Sequence, residues 1–537
     1  MRGDVPVEFQ VPVQGVVANV PVHQVGNQAL INGDNCFVDI DGLLKTRLGY
    51  TPVAPQMAVT ERVQGLISDL DSSGVIVQVS GGATTWQYFN GSEWINITGS
   101  PLTTDPNDFV RFIGFPQGTE EYIYGVNNSN GLKYWYLGLP AVVDVTVPFT
   151  FARDIESLAN RVVVVNTTEG GVQYNQRVRW SSVNDGTTWP GLAFADLRDE
   201  SDQIVGIKRT SRTSAVIYRS FSAWYMQAVP GDDASAFTFE RIPAADSMVG
   251  PISTAGIVSA EGSHYYFGID GRVYQYDGTS IYPISAAIDP LSLSQLNTGF
   301  GSRSWAVYLP SKRMLFFFFP GQGEEDPNIA IAYSLATGAF WPLFYYPEGI
   351  SIGATVQSQV GPTWLNWVPL NSTWPEVPYP SWSSIPTANA LGVWVGTVAG
   401  NVHSFFTANS DNGVIIPYTA QWGLVRVSPL KMLQTDFMEI YFMQAAEDEA
   451  IEADLIGYAQ PYSTNITHLW SLAINLADDS TFFAKAEPGP ANPANLKANL
   501  LSLVITSQGF AAQMIFGGSL VSSYSLLRGD YLAAGQQ

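Results

Sequence analysis

Residues 180–190, WSSVNDGTTWP, contain the group of polar side chains in this sequence that comes nearest to a chemical motif. The group follows S-x-D-x-G-x-T-W, with asparagine where that pattern has aspartate, and consists of Ser182, Asn184, Gly186, Thr188 and Trp189. The acidic stretch LRDESDQ comes next, and it offers Asp199, Glu200 and Asp202. Two carboxylates held about 5–10 Å apart across a cleft can hydrolyse a glycosidic bond. Glycan cleavage is therefore the first hypothesis that these residues raise.

The same pattern is typical of the Asp-box turn of sialidase-type β-propellers. A sialidase also needs several arginines to bind the substrate carboxylate, because paired N–H donors match its two oxygens. Arg177 and Arg241 are the candidates here, but the sequence has no second Asp box, and LRDESDQ is typical of a solvated loop. We therefore predict a structural turn, with Asn184 and Asp185 shaping it and Trp189 packed beneath it.

The other reactive residue types are too scattered to form a familiar site. None of the four histidines has another histidine or a cysteine at metal-ligand spacing, and Cys36 is the single cysteine. The sequence contains no phosphate-binding loop, dinucleotide fingerprint or G-x-S-x-G element. We predict no catalytic, metal-binding or cofactor-binding residue and no enzymatic activity.

Composition indicates a large β-rich protein. Of 537 residues, 46% are hydrophobic and 13% are charged, and glycine, proline and aromatic residues are abundant, which favours many short strands joined by turns. The net charge of −22, from 47 acidic and 25 basic residues, opposes tight binding to nucleic acid. The N-terminal stretch lacks the apolar core of a signal peptide, and the strongest apolar run, Met314 to Phe319, is too short to span a membrane. We expect neither secretion by that route nor membrane integration.

A rhythm of short strands and turns recurs along the middle of the chain at a period of roughly 45 residues. Its hairpins, such as GIDGRVYQYDG and TVAGNVHSFF, carry Asp-Gly or Gly-Asn pairs that suit tight turns. Four-stranded units of this length are typical of propeller blades, whose closed ring leaves few exposed sheet edges. We predict an all-β fold with three parts: an N-terminal extended β segment (1–58), an irregular β-propeller of six or seven blades (59–405) and a C-terminal β-rich domain (406–537). We expect the two terminal segments to form the additional β-rich domain together.

A segment rich in proline and tryptophan, residues 361–390, interrupts the last repeat. Proline removes ladder donors, so the segment is predicted to be a loop. It either contacts a partner or a sugar, or packs against a neighbouring subunit or domain. The residues that would make such contacts are Trp364, Trp367, Trp374 and Trp382.

One order of elements spans residues 160–290. A strand with arginines leads into the turn from Arg177 to Trp189, and FAD, IVGI, SAWYMQAV, FTFERI and GIDGRVYQYDG follow. CFVDIDGLLKTRLGYTP and YSLATGAFWPL add fainter matches. This order resembles the tail nozzle proteins of short-tailed bacteriophages, also called packaged-DNA stabilisation or tail tubular proteins. The resemblance implies a structural virion protein that forms a ring-shaped nozzle or hub, retains packaged DNA and conducts it during ejection.

The resemblance also implies partners and a location. They are a homo-oligomeric ring, a hexamer in most such proteins, with portal and adaptor proteins above it and tail fibre, spike or needle proteins beside or below it. The ring would lie in the virion tail after assembly in the bacterial cytoplasm, and DNA would pass through it without sequence-specific binding. Two alternatives stay open: a glycan-active, sialidase-like propeller, and a propeller that binds a host surface through residues 361–390.

Overall fold

The computed structural model describes most of the chain, and it shows an all-β fold. The described residues are 7–53, 57–70, 76–100, 102, 105, 108–199, 201–242, 249–360, 388–426, 431–444, 450–458, 466–475, 483–486, 497–498, 500–507 and 515–527. Strands account for 53% of the structure. Among these residues no helix is both long and apolar enough to cross a membrane.

The strands fall into an N-terminal group, seven blades and a C-terminal group. The N-terminal strands are β1 (Val7–Phe9), β2 (Leu30–Asp34), β3 (Cys36–Val38), β4 (Leu44–Thr46) and β5 (Gly49–Pro52). Blade 1 comprises β6 (Val63–Leu70), β7 (Ile76–Gly82), β8 (Trp86–Phe89) and β9 (Trp94–Asn96). Blade 2 comprises β10 (Arg111–Gln117), β11 (Glu120–Val126), β12 (Lys133–Trp135) and β13 (Val143–Asp144). Blade 3 comprises β14 (Phe151–Leu158), β15 (Arg161–Glu169), β16 (Val172–Trp180) and β17 (Phe194–Asp196).

The second half of the ring continues this order. Blade 4 comprises β18 (Ile204–Arg209), β19 (Ser214–Arg219), β20 (Ala223–Ala228) and β21 (Phe237–Arg241). Blade 5 comprises β22 (Ile257–Ala260), β23 (Ser263–Phe267), β24 (Val273–Tyr276) and β25 (Ile281–Pro283). Blade 6 comprises β26 (Trp305–Leu309), β27 (Met314–Pro320), β28 (Pro327–Ser334) and β29 (Phe340–Tyr345). Blade 7 begins with β30 (Ile350–Val360), β31 (Ala388–Thr397) and β32 (Val402–Ala408).

The remaining elements are the C-terminal strands and four short helices. The strands are β33 (Tyr418–Trp422), β34 (Val425–Arg426), β35 (Lys431–Gln444), β36 (Ala450–Tyr458), β37 (Ile466–Asn475), β38 (Phe483–Ala486), β39 (Lys497–Ala498), β40 (Leu500–Ser507) and β41 (Ile515–Leu527). The helices are α1 (Asp289–Gln295) and the 3-10 turns Asp233–Ser235, Thr298–Arg303 and Pro310–Lys312.

The propeller that the sequence predicted is confirmed. Six blades are separate four-stranded sheets, and blade 6 is an antiparallel meander whose outer strand continues into a larger sheet. The first strand of each blade contacts the first strand of the next, from β6 to β30, and β30 contacts β6. The seven first strands therefore form a closed ring around one axis.

Ring closure depends on the N-terminal segment. Strand β5 pairs antiparallel with β32 and supplies the outermost strand of blade 7. The blade is thus built from two distant parts of the chain, which fastens the two ends of the ring together. The three domain ranges stay predictions, although this pairing joins residues from the first range to the second.

Apolar side chains between neighbouring blades form the cores. Separate clusters lie between blades 1 and 2, 2 and 3, 3 and 4, and 4 and 5. Strand β27 is buried along its whole length, and Phe318 stacks on Trp305 with ring centroids 4.0 Å apart. At Gly353 of blade 7 a Cβ would stand 2.6 Å from the Trp305 ring, so only glycine lets the blades approach this closely.

The terminal segments build the additional β-rich part. Strand β2 pairs in parallel with β29 and antiparallel with β33, and it thereby connects blade 6 to β40, β36 and β37. A second sheet contains β1, β3, β4, β35, β38, β39 and β41. Contributions from both termini agree with the predicted arrangement.

A buried ion pair holds this junction. Arg47 donates from Nη1 to Asp411 Oδ1 at 2.8 Å and from Nε to Asn35 Oδ1 at 2.8 Å. Its Nη2 donates to the second Asp411 oxygen and to the Tyr345 carbonyl, and the guanidinium lies 4.1 Å from the centre of the Tyr346 ring. One side chain thus connects the N-terminal segment to blade 6 and to the loop after blade 7.

Candidate ligand site at the mouth of the propeller axis

The two ends of the propeller axis differ in what surrounds them. First strands begin at one end, here called the cup face, and the turns that join first to second strands lie at the other, here called the turn face. A cavity of about 160 Å³ opens at the cup face, and we call it the axial cup. It is lined by Asp108, Phe109, Asn128, Arg153, Ser253, Thr254 and Ser302. These residues belong to blades 2, 3, 5 and 6 or precede their first strands, so the cup surrounds the axis.

Arg153 is the central cation of the cup. It lies on β14, the first strand of blade 3, and is partly buried. Burial lowers the pKa of its guanidinium, against the attraction of Asp154 and Asp108. Within the described part of the chain it has no hydrogen bond and no ion pair. It is therefore a desolvated cation available to a ligand.

The two carboxylates nearest to Arg153 are bound by other donors. Asp108 accepts hydrogen bonds from Asn128 Nδ2 at 3.1 Å and from the Ser129 hydroxyl at 2.8 Å. Asp154 accepts from Arg111 Nε at 3.0 Å and from the backbone N–H of Ile207 at 2.9 Å. Both acids are thus fixed in place, and neither neutralises Arg153 by direct contact.

A second cavity, of about 380 Å³, continues outward from the cup over blade 3, and we call it the blade-3 groove. Its lining residues are Asn128, Phe151, Arg153, Asn166, Thr168 and Gln173. Asn128 and Arg153 line both spaces, so cup and groove adjoin at these two residues. The groove falls within the range of about 300–1,000 Å³ that is usual for small-ligand sites.

Asn166 has an unusual backbone that directs its side chain. Its φ is 55°, in the left-handed region, and the pairing of β15 with β16 shifts register between Val165 and Thr167. The side chain donates to the Ile204 carbonyl at 2.9 Å and accepts from Gln173 Nε2 at 3.3 Å. Such bulges often turn a side chain toward a functional site. Here the bulge places a buried amide in the groove.

A paired set of charges supports the blade 6 side of the cup. Arg303 Nη1 lies 2.9 Å from Asp326 Oδ1, and Arg62 binds the same carboxylate. Burial lowers the pKa of Arg62, but Asp326 compensates part of that cost. These arginines are engaged with protein, and they fix the backbone that presents Ser302.

The turn at 180–190 lies at the turn face, away from the cup. It joins the third and fourth strands of blade 3, and Asn184 N donates to the carbonyl of Asn160, in the turn between β14 and β15. Asn184 has a φ of 59°, and the Ser182 N–H donates to the Thr188 carbonyl at 2.9 Å.

The other predicted turn residues make local contacts. Asp185 accepts from the Thr187 N–H at 2.8 Å, and Gly186 donates to the Gln117 side chain. Trp189 donates from Nε1 to the Gly186 carbonyl at 2.9 Å and packs edge-on against Phe149, between blades 2 and 3. All of these contacts join the turn to other residues of the same chain, so they stabilise the turn itself.

The residues considered for glycan cleavage form two groups of ion pairs, one around Arg177 and one around Arg219, and Arg241 Nη1 lies 3.9 Å from Asp199 Oδ2 in the second group. Arg177 makes a two-point ion pair with Asp196 at 2.7 and 2.9 Å. Asp199 and Asp202 both bind the buried Arg219. Arg241 is about half exposed, on the fourth strand of blade 4. Glu200 lies outside the described residues. None of the described members of this set lines the axial cup.

The tryptophan-rich loop lies mostly beyond what the structure describes. Trp364, Trp367, Trp374 and Trp382 are all outside the described residues. The flanking strands pair with each other up to Val360 and Ala388. The described ends of these two strands therefore lie at the turn face.

Metal ligands are not assembled in the described ranges: no three His, Cys, Asp or Glu side chains there form a group that could hold an ion.

The residues that line the cup were not identified from the sequence. Arg153 occurs in the ordinary strand sequence FARDIESL, and its neighbours come from blades that are far apart in the chain.

Comparison with known proteins supplies no family. No family model matches the chain, and no curated protein matches it. Among solved structures it is similar to the extracellular domains described for a one-component system and for a hybrid two-component system of B. thetaiotaomicron. The first has 10% identity and a TM-score of 0.40, over 74% of this chain and 43% of that chain. The second has 11% identity and a TM-score of 0.39, over 75% and 44%. The chain thus spans less than half of either solved chain.

These comparisons correct the tail-nozzle interpretation. The similar structures are extracellular domains of a bacterial one-component and hybrid two-component system, so the identification with tail nozzle proteins is wrong, as are the DNA-conducting function and the virion location. The motifs that suggested it are turn and strand elements of blades 3 to 6 and of the N-terminal strands β3 to β5, and such elements indicate a fold rather than a function. The homo-oligomeric ring and the other implied partners stay untested predictions. At these TM-scores nothing about ligands is carried over from the similar structures.

Proposed function

We propose that this chain is a binding module that holds a saccharide at the cup face of its propeller and performs no reaction on it. The observation that carries the proposal is the axial cup, where an unpaired arginine meets polar side chains from several blades. Saccharides present many hydroxyl groups in fixed directions. Converging amide and hydroxyl side chains match such a ligand, because every buried polar group needs a partner.

The mixture of groups in the blade-3 groove supports the same ligand class. Phe151 offers an apolar ring, and Asn166, Thr168 and Gln173 offer donors and acceptors beside it. A sugar ring has an apolar face and a polar rim, so it can contact both kinds of group at once. A purely apolar ligand would take polar atoms of Thr168 and Gln173 out of water without giving them a hydrogen bond.

The acids at the site favour binding over hydrolysis. Glycoside hydrolysis uses two carboxylates on opposite sides of the bond. Asp108 is the one carboxylate among the described lining residues of the two spaces, and it is held by Asn128 and Ser129. Because hydrolysis needs two carboxylates and the described lining offers one, we propose that the propeller is non-catalytic.

Binding to a panel of immobilised polysaccharides tests the proposal. We expect the wild-type protein to be retained on at least one of them, and Arg153→Ala to lose that retention. Arg212→Ala is the matched control, because Arg212 is an exposed arginine in a turn at the turn face. Chromatography of the eluted sugar should show no shortened product. Retention on no polysaccharide, equal retention of Arg153→Ala, or release of shortened sugars would contradict the proposal.

A further inference from the structure

We infer that the saccharide carries a carboxylate, which binds Arg153 in the axial cup while the adjoining sugar ring lies over Phe151 in the blade-3 groove. This inference rests on the proposed saccharide binding and specifies its chemistry. It assigns two subsites: an acidic one at the axis and a neutral one over blade 3.

The acidic subsite follows from the missing counter-ion of Arg153. A guanidinium taken out of water without a partner costs free energy, and a ligand carboxylate can offset that cost with two parallel hydrogen bonds. The nearby carboxylate of Asp108 already accepts from Asn128 and Ser129. An anion supplied by the ligand would complete the site.

The overall charge limits how much negative charge the ligand can bear. The chain carries a formal net charge of −22, which repels polyanions over a long range. A phosphate-rich or nucleic-acid ligand would be repelled by this negative charge. Among the described lining residues, Arg153 is the one unpaired cation that could offset the repulsion. A single carboxylate on an otherwise neutral sugar fits this balance.

The second subsite follows from the contact between cup and groove. Arg153 and Asn128 line both spaces, so a sugar ring attached to a carboxylate at Arg153 would lie next to the groove. Phe151 pairs with Thr168 across β14 and β15, which places the ring beside a hydroxyl. Asn166, held by the bulge, offers its amide on the same side of the groove. The two spaces together offer a cation, an aromatic ring and amides, which match the groups of a saccharide with one acidic residue.

Titration calorimetry with matched acidic and neutral ligands tests the inference. The probes are the aldobiouronic acid glucuronosyl-galactose with its neutral methyl ester, and sialyllactose with lactose, so each acidic probe carries one carboxylate and the two common sources of sugar carboxylates are separated. We expect one acidic probe to bind the wild-type protein about 10- to 100-fold more tightly than its neutral partner, as loss of a charge-assisted hydrogen bond predicts. Arg153→Gln should bind both members of that pair equally. Arg212→Ala should behave as wild type.

The second subsite has its own comparison. Phe151→Leu should weaken binding of the acidic probe but leave binding of its acidic monosaccharide, glucuronate or N-acetylneuraminate, unchanged, and thermal melts should show that both variants are folded. Equal binding of acidic and neutral probes to the wild-type protein would overturn the inference and leave saccharide binding intact. Binding of none of the four probes, together with retention on no polysaccharide, would overturn both. The wild-type comparison needs no variant, so a variant that fails to fold does not block the test.

Discussion

The carboxylates of Asp69 on blade 1 and Glu121 on blade 2 meet across Gly114. A Cβ at Gly114 would overlap Asp69 Oδ2 and stand 3.0 Å from Glu121 Oε1, so the two acids share the space that the glycine leaves. Burial, and then the charge of Asp69, raise the pKa of Glu121 to about 7. Burial also raises the pKa of Asp69, against its backbone hydrogen bond and the attraction of Arg209. The pair sits between the first two blades.

Glu121→Gln should change how stability depends on pH. Because the folded protein holds a proton on Glu121 up to about pH 7, whereas the unfolded chain releases it near its ordinary pKa of 4.5, wild-type stability falls as pH rises through that window. The glutamine in Glu121→Gln cannot ionise, so the variant does not lose stability in this way. Urea unfolding should show Glu121→Gln more stable than wild type at pH 8 and close to it at pH 5. Glu93→Gln, at an exposed hairpin, is the control. An equal difference at both pH values would contradict the prediction.

His264 should act in the opposite direction. Its Nδ1 lies 2.9 Å from the Tyr218 hydroxyl and its Nε2 lies 3.0 Å from the Arg209 carbonyl, between blades 4 and 5. Burial lowers its pKa to about 4, so its stabilising contribution is complete above pH 6.5 and is lost as pH falls toward 4.

The loss should amount to about 3 kcal/mol at about 1.4 kcal/mol per pKa unit. Unfolding of His264→Gln should therefore depend less on pH between 6.5 and 4 than unfolding of the wild type. His23→Gln serves as the comparison at a partly exposed position. Parallel pH profiles for wild type and His264→Gln would rule this out.

Arg47→Ala should destabilise the junction between the propeller and the terminal segments. Removal of Arg47 leaves Asp411 buried without its cation, a change that typically costs about 3–5 kcal/mol. Arg272→Ala removes an exposed arginine, 3.0 Å from Asp289, and should cost at most about 1 kcal/mol. Chemical denaturation of both variants measures the contrast, and similar losses would show that the Arg47 pair is not special.

Asp185→Ala should affect folding and leave the ligand site unchanged. The variant loses the hydrogen bonds that Asp185 accepts from the Thr187 N–H and hydroxyl, which should cost about 1–2 kcal/mol. The turn lies at the turn face, so retention on the polysaccharide should not change. Asn184→Asp restores the full motif and should produce no hydrolysis. Loss of binding in a folded Asp185→Ala protein would indicate that the ligand binds at the turn face, which would contradict the proposed site.

The blades could be predicted from patterns within short stretches of the sequence. The closure of the ring and the buried ion pair of Arg47 depend on contacts between distant residues, and they could not be predicted. Hairpins such as GIDGRVYQYDG form because Asp277 caps its own turn, accepting from the Thr279 and Ser280 N–H groups. Such signals lie within a few residues and can be recognised in the sequence. Strand β5 and Arg47 gain their roles from partners hundreds of residues away, and no local pattern marks them.

The same distinction explains the functional error. The motifs that suggested a tail nozzle are turns and strands that shape blades, so they indicate a fold and no ligand. Arg153 carries the proposed function, yet it becomes distinctive only when the ring closes and brings Ser253, Thr254 and Ser302 around it. The contrast between an engaged Arg177 and an unpaired Arg153 is likewise a property of the folded protein.

A crystal structure of the protein with the tighter-binding acidic saccharide tests the central claim most directly. The account predicts the ligand carboxylate at about 2.7–2.9 Å from the Arg153 guanidinium nitrogens, with the adjoining ring over Phe151. A ligand bound at the turn face or at the outer strands, with Arg153 unoccupied, would contradict it.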